Sequence, residues 1–489
     1  MKRIFHISNR VEVPKPGQAT AGGLDEAIAD TPEGMINVRF GWSGRTIDDD
    51  VQDLDDTVQV INRGSTVYIT YDMRESDILG FYGNVSNGII WPANHYREDI
   101  TKEGFENTYN HQGQERDAQH DMAVYHKVNR EVAELSQKYI ESDDTVIVHD
   151  YHFIPLASHM PKSMPIGYFH HTPMLNADFL ETLDRDQQRF FQDLYENFYH
   201  YDFVGLQTKA DVKALHSIIG NTASPKDADF FETQPFSDNS IYARRTQFGA
   251  FPVAGNASKY TELAKAKEND AAVINYINRH AHGELDMMSV ERRDYSKGII
   301  PKVIGVGLWC KEFGQNGERI HLVQIAPKGR ETVKAYVDES QKIEATVEAV
   351  KEIFGGVVHL ESGKVERGIH LGMARHASAA LITPTRDGMN LYATEFLAAQ
   401  VGRDNPGVGI ISKFAGVASL YHDSIIAVDP RKPKSIAEGI QRSRLLTPTE
   451  RQDMLGRAMN TSEFFTNTRW QSSLISATRN AADMRGCEL

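Results

Sequence analysis

Cysteine is nearly absent: Cys310 and Cys487 are the only two in 489 residues. Two thiols cannot make a disulfide framework in a chain of this size, so a reducing compartment, the cytoplasm, is expected. Long apolar runs are missing too. No stretch reaches the roughly 18 residues that a bilayer-spanning helix takes. The first residues pass from Lys2-Arg3 straight into Ile4, Phe5 and Ile7, with no apolar segment of signal length. Neither membrane insertion nor export is expected. Basic charge is in deficit, with 53 Lys and Arg against 67 Asp and Glu and a net charge of −14. Nucleic acid and anionic membranes need a basic face, so neither is an expected partner. A small phosphorylated molecule held by a few local arginines and lysines is. The 18 prolines and 37 glycines are too few for a collagenous or linker-dominated chain. Nineteen histidines are scattered and form no metal-spaced cluster, so no metal or cofactor is expected.

What is there alternates. Short apolar runs rich in Val, Ile and Phe recur at Ile4–Ser8, Thr66–Thr70, Thr145–His149, Ile166–His170, Phe203–Gln207 and Gly249–Val253. A second series covers Met287–Val290, His321–Ile325, Ala377–Thr383, Val408–Ser412 and Ser424–Val428. Runs apolar on both faces suit buried parallel strands. Between them lie helical patterns such as Val124, Tyr125, Val128, Val132, Leu135 and Tyr139. The fold class is therefore α/β. The length exceeds one core, and the best seam falls between the two series. Residues 1–254 are expected to form one Rossmann-like domain and 255–450 a second, with 451–489 a helical segment anchored by Trp470. Two such doubly wound domains facing one another make a cleft at their strand ends. Residues 98–118, charged and poor in apolar groups, read as an insertion.

The chemistry-bearing residues cluster at the predicted strand ends. Gly22-Gly23 lies between a strand and a helix, where paired glycines let backbone N–H groups approach an anion; an ordinary tight turn has the same pattern. His149-Asp150-Tyr151-His152 follows a buried strand, and Asp150 is placed to accept from a sugar hydroxyl. The spacing of His149 and His152 suits a metal, but no third ligand is near in sequence. After the next strand comes His170-His171-Thr172-Pro173, of which one histidine is expected to face the cleft. Arg292 and Lys297, five apart and followed by Gly298, read as a diphosphate clamp, with Asp294 orienting an arginine. Asp387-Gly388 makes a turn, and the N–H groups of Gly388, Met389, Asn390 and Leu391 would open a helix suited to phosphate. Glu395, just behind, could bridge a ribose diol. Asp387 and Glu395 could instead be a hydrolase's acid–base pair, but the neighbouring N–H groups fit nucleotide binding better.

These pieces, with SNR (8–10), AGG (21–23), GWSG (41–44), FYGNVSNGIIWPANHYR (81–97), FVGLQT (203–208), QIAPKGR (324–330) and SKFAG (412–416), run in order along the chain. Together they resemble the retaining nucleotide-sugar glycosyltransferases of family 20, which make trehalose 6-phosphate from an activated glucose and glucose 6-phosphate. The resemblance implies a GT-B fold with an interdomain cleft and a C-terminal helical segment, 451–489, that crosses back to the first domain. It implies that Arg10, Tyr82, Trp91, Asp150 and Arg330 hold the acceptor, and that Gly22, Gly23, Gly388, Met389, Asn390, Leu391 and Glu395 hold the donor. Arg292, Lys297, His171 and Asp387 would act at the reacting centre. The donor would be a nucleoside diphosphate glucose, UDP-glucose first. The enzyme would work as a dimer or tetramer, and a separate phosphatase would act on the product, since about seventy residues after Gly416 are too few for one. The chain also departs from the family. Arg293 stands where leucine is usual, Thr394 where lysine is, and His170-His171 where one histidine follows an apolar residue. The usual Gly-Ile-Asp reads Ala254-Gly255-Asn256. The HHTP form is similar to the glucosylglycerol-phosphate synthases, which keeps glycerol 3-phosphate open as the acceptor. A non-catalytic sugar-phosphate sensor is the remaining alternative.

Overall fold

The computed structural model describes residues 2–15, 23–111, 114–219, 233–235, 246–280, 286–314, 320–329 and 333–486. The chain divides into two compact units. Met1–Val253 joins Asn467–Leu489 in the first, and Ala254–Thr466 makes the second.

Eleven strands of the first unit are described: β1 (Lys2–Arg10), β2 (Met35–Ile47), β3 (Gln59–Arg63), β4 (Thr66–Arg74), β5 (Tyr109–His111), β6 (Gln114–Arg116), β7 (Thr145–His149), β8 (Ile166–Phe169), β9 (Phe203–Leu206), β10 (Thr233–Pro235) and β11 (Gln247–Ala250). Nine form one sheet in the order β10-β11-β9-β8-β7-β1-β2-β4-β3. Its inner strands are parallel, and only the edge strands β10 and β3 run antiparallel to their neighbours. From β1 the chain moves outward through β2 and β4. It then returns to β7 and moves the other way through β8 and β9. The point of reversal therefore lies between β1 and β7, where open α/β sheets bind ligands beyond their carboxyl ends.

The second unit holds β12 (Met287–Val290), β13 (Leu322–Ile325), β14 (Val358–Glu361), β15 (Ala379–Ile382), β16 (Val408–Ser412) and β17 (Ile426–Val428), all parallel, in the order β14-β13-β12-β15-β16-β17. Its reversal lies between β12 and β15. The alternating faces of these strands fill two apolar layers, one around Met288, Ile325 and Ile382, the other around Val303, Leu322 and Leu381.

One expectation changes. The segment 451–489 is not one piece. The helix Pro448–Phe464 stays with the second unit, where Leu455 and Ala458 join its core. Only the helix Asn467–Gly486 belongs to the first. Its Trp470, Leu474, Thr478 and Ala481, three or four apart, are buried. Trp470 is fully buried and donates its Nε1–H to Phe251 O at 3.2 Å; a side chain of this kind contributes about 1.5–3 kcal/mol on burial. Residues 98–118, read as an insertion, start with the regular helix Glu98–Glu106 and continue in the β5–β6 hairpin.

Candidate active site

In the first unit, the switch point places Arg10 at the end of β1 and Asp150 just past β7. The Arg10 guanidinium lies 5.7 Å over the Trp42 ring. Gly44, at φ 89°, leaves room for it, since a Cβ there would sit 2.7 Å from Arg10 Nη2. This accounts for the last residue of GWSG. From Trp42 a run of rings continues to Tyr82 (6.1 Å), His152 (5.9 Å), Tyr151 (4.1 Å) and Trp91 (5.6 Å). Thus Arg10 shares one aromatic floor with Tyr82 and Trp91, more than seventy residues on. Tyr82 rides on a wide helix, Ile78–Ile90, whose π-type turns mark functional segments in many proteins.

Asp150 sits at φ 69°, ψ 169°, a region that side chains other than glycine's rarely occupy. Its Oδ1 accepts the His171 backbone N–H at 3.2 Å. The two histidines after β8 part ways. His170 is fully buried: its Nδ1 meets Tyr168 Oη at 3.1 Å, and its Nε2 meets Thr172 Oγ1 at 2.9 Å and Asn94 Nδ2 at 3.3 Å. His171 is half-buried and meets His149 instead. Burial holds His170 down to about 3, so it stays neutral. Gly23 opens the short helix Gly23–Ala27 and is exposed, while Gly22 lies outside the described residues. Arg330 lies outside them as well.

The second unit repeats the plan. After β12 the chain enters a 3-10 turn, Tyr295–Lys297, capped by Gly298 at φ 62°, and then the helix Ile299–Glu312. The fully buried Asp294 accepts from Ser296 N at 2.9 Å and from Arg292 Nη2 at 2.7 Å, which fixes the arginine on the turn. Lys297 Nζ donates to Asp387 Oδ2 at 2.6 Å, and Asn390 Nδ2 reaches the same oxygen at 3.0 Å. The loop after β15 is tied to this turn by Thr385 N donating to Ser296 O at 2.8 Å. Gly388 and Met389 are buried in that loop. Asn390, at φ 73°, caps the helix Leu391–Ala399. Glu395 stands inside this helix, 3.4 Å from Arg367 Nε. Burial, then Arg367, lowers His370 beside it to about 3, leaving Arg367 as the charged neighbour.

Arg293 turns the other way. It is buried and donates to Ala326 O (3.1 Å), Ser340 Oγ (2.6 Å), Ser362 Oγ (2.6 Å) and Glu344. It braces the end of β13. Among the described residues, no group of three or more His, Cys, Asp or Glu is placed to hold a metal ion, and no helix is long and apolar enough to cross a membrane.

The sequence profile of glycosyltransferase family 20 matches residues 11–480. The chain belongs to glycosyltransferase family 20. The trehalose-6-phosphate synthase of Enterobacter sp. (strain 638) is 28% identical over 97% of this chain and 94% of its own. Two solved structures are similar along nearly the whole length. One is an α,α-trehalose-phosphate synthase (UDP-forming) from Burkholderia xenovorans in complex with glucose 6-phosphate: 26% identical, TM-score 0.85, covering 97% of this chain and all of that one. The other, from Burkholderia vietnamiensis, is 25% identical with TM-score 0.85, covering 99% and 100%. This family-20 member is thus a retaining glycosyltransferase of the GT-B type, built from two Rossmann-like units.

Residue types at strand ends gave no role to His6 or Trp42 and no role to the side chain of Asn390. Asn390 was read only for its N–H, whereas its side chain joins Lys297 on Asp387. Trp42 stood in a quoted motif without a role. His6 carried a signal, being a lone polar ring inside an apolar strand, but its partners come from β7, about 140 residues away.

Proposed function

We propose that this enzyme is an α,α-trehalose-phosphate synthase. It transfers glucose with retention from a nucleoside diphosphate glucose, UDP-glucose first, to glucose 6-phosphate, giving trehalose 6-phosphate and the nucleoside diphosphate. The observation that carries this reading is the cluster at the second switch point, where Arg292, Lys297, Asp387 and Asn390 converge on neighbouring strand ends. In the proposal, Arg292 and Lys297 take the diphosphate and neutralise it as the glycosyl bond breaks. Asp387 holds the glucose hydroxyls, the N–H groups from Gly388 to Leu391 surround them, and Glu395 takes the ribose. Gly22 and Gly23 lie beside the diphosphate, and His171 meets the donor sugar. Arg10, Tyr82, Trp91, Asp150 and Arg330 hold the acceptor. The acceptor hydroxyl attacks on the face the diphosphate leaves, and the leaving phosphate oxygen takes its proton.

Glycerol 3-phosphate as acceptor was suggested by the HHTP form. His170, the residue that makes the form unusual, is committed to Tyr168, Thr172 and Asn94 inside the first unit. It is therefore a packing feature, which favours glucose 6-phosphate. The product phosphate would be removed by a separate phosphatase, and the enzyme would act as a cytoplasmic homo-oligomer. The test is a side-by-side assay of both acceptors with UDP-, ADP- and GDP-glucose, with and without excess chelator. Trehalose 6-phosphate formed from UDP-glucose, undiminished by chelator, is the expected result. Faster turnover of glycerol 3-phosphate would overturn the acceptor, and donor binding without transfer to either acceptor would favour the sensor.

A further inference from the structure

One row of side chains in the first unit ends at His171, and its other members, Arg39, His6 and His149, have no place in the chemistry above. Arg39 on β2 pairs with His6 on β1, and His6 pairs with Ile147 on β7. His149, two residues on, shares that face. His149 pairs with Phe169 on β8, and His171 lies two beyond. Strand alternation thus lines up one arginine and three histidines on one side of four neighbouring strands. The rings touch: His6 Nδ1 to His149 Nε2 is 2.8 Å, and His149 Nδ1 to His171 Nε2 is 3.0 Å. Trp470 packs over His149 and His171, with ring centres 6.4 and 6.0 Å away. His6 and His149 are fully buried.

A neutral imidazole has one N–H and one lone pair. Burial keeps all three rings neutral: His6 is held at about 3, with Arg39 adding to the effect, and His149 and His171 well below the usual range. His149 uses both nitrogens, so it must donate at one contact and accept at the other. Only two arrangements satisfy this. Either every ring is protonated on Nδ1, or every ring is protonated on Nε2. The second leaves His6 with a buried Nε2–H that has no acceptor, and an unmade buried donor carries its whole desolvation penalty. The first leaves a lone pair there instead, and the neighbouring Arg39 cation favours it.

We propose that His6 and His149 are positioning residues that hold His171 as its Nδ1–H tautomer, so that it donates a hydrogen bond to a hydroxyl of the donor sugar. The inference rests on the proposed placement of His171 at that sugar. The direction of the row is set at its far end, by the missing acceptor at His6 Nε2 and the neighbouring Arg39 cation.

The test is NMR of the full chain labelled with ¹⁵N-histidine, beside steady-state kinetics. Wild type should show protonated Nδ1 and bare Nε2 at His6, His149 and His171. His6→Asn offers an amide N–H where Nδ1 stood and should restore both the tautomers and most of the turnover. His6→Asp accepts instead of donating, so it should move the His171 proton to Nε2 and cut kcat about tenfold, the scale of one lost donor, with acceptor KM little changed. His6→Val, apolar and suited to a strand, serves if the aspartate fails to fold; His171 should then show mixed tautomers. Nε2–H on His171 in wild type, or an unmoved His171 tautomer in both His6→Asp and His6→Val, would overturn the proposal. So would a moved tautomer with unchanged kcat. Expected tautomers in a wild type that transfers no glucose would leave the row standing and count against the proposed function.

Discussion

Asp150 holds a backbone conformation, φ 69° and ψ 169°, that glycine adopts at no cost and other residues adopt at about 1–3 kcal/mol. Phe169 O, accepting Asp150 N–H at 2.8 Å, and the Asp150 carboxylate on His171 N–H hold it there. A residue kept against such a cost, at a strand end beside the switch point, suits a carboxylate that must face the acceptor. Replacing it separates strain from function. Asp150→Gly loses the carboxylate but is relieved of strain. Asp150→Ala loses the carboxylate and keeps the strain. At ordinary positions alanine is the more stable of the two by about 0.4–1 kcal/mol. Here the order should reverse, with glycine more stable by about 1–2 kcal/mol, while both lose most activity towards the sugar phosphate. Urea unfolding of the two variants, with acceptor kinetics, reads it. Alanine equal to or above glycine in stability would show that the backbone is not held in this region.

At the scale of elements, the turn between β12 and its helix matters most, because Arg292 and Lys297 stand on it. Gly298 closes that turn at φ 62°, and a Cβ there would sit 2.0 Å from Thr383 O. Both the conformation and the space exclude a side chain. Gly298→Ala must push the turn off the loop after β15, breaking the contact of Thr385 N with Ser296 O and the Lys297–Asp387 pair. A loss of about 2 kcal/mol or more is expected, together with weaker nucleotide-sugar binding by calorimetry. Wild-type affinity in a folded variant would remove the turn from the donor site. The same scale shows what the sequence made legible. Continuous apolar runs gave β7, β12 and β16 to the residue, because buried parallel strands need no polar face. The long central strand β2 was missed because Arg39, Gly41 and Ser43 interrupt its apolar pattern. The cost of Arg39 is met by Asp25 at 3.3 Å and Ile28 O at 2.7 Å, partners that only the fold supplies. The residue types at strand ends pointed to sugar and phosphate, but not which histidine of the pair after β8 is structural. That depends on Asn94 and Thr172 closing around His170.

At the scale of the whole molecule, histidine is buried unevenly. The first unit contains His6 and His170, each held at about 3, His216 at about 4, and His149 and His171 well below the usual range, in every case chiefly by burial. In the second unit, His370 at about 3 shows the comparable effect. A histidine whose pKa is lowered by folding leaves stability intact above its unfolded value, about 6.5. Below that, the unfolded chain takes up a proton that the folded chain refuses, so stability falls with falling pH until the folded value is reached. Each such ring removes about 1.4 kcal/mol per pH unit in that window. Asp25 and Asp211, both raised by burial to about 6, act in the opposite sense between about 6 and 4, since folding there favours the protonated acid. They are outnumbered by the histidines of their own unit, so the first unit should lose stability steeply from pH 6.5 to 5 and the second more gently. Trp42, Trp91 and Trp470 report on the first unit, and only Trp309 on the second. Urea unfolding followed by tryptophan fluorescence should therefore show a midpoint that drops across this window. His170→Asn, which removes one refusing ring but keeps a group able to bond Tyr168, should flatten the drop. A midpoint constant between pH 6.5 and 5 would mean that the buried rings accept protons in the folded chain, and the neutral histidine row would fall with that result.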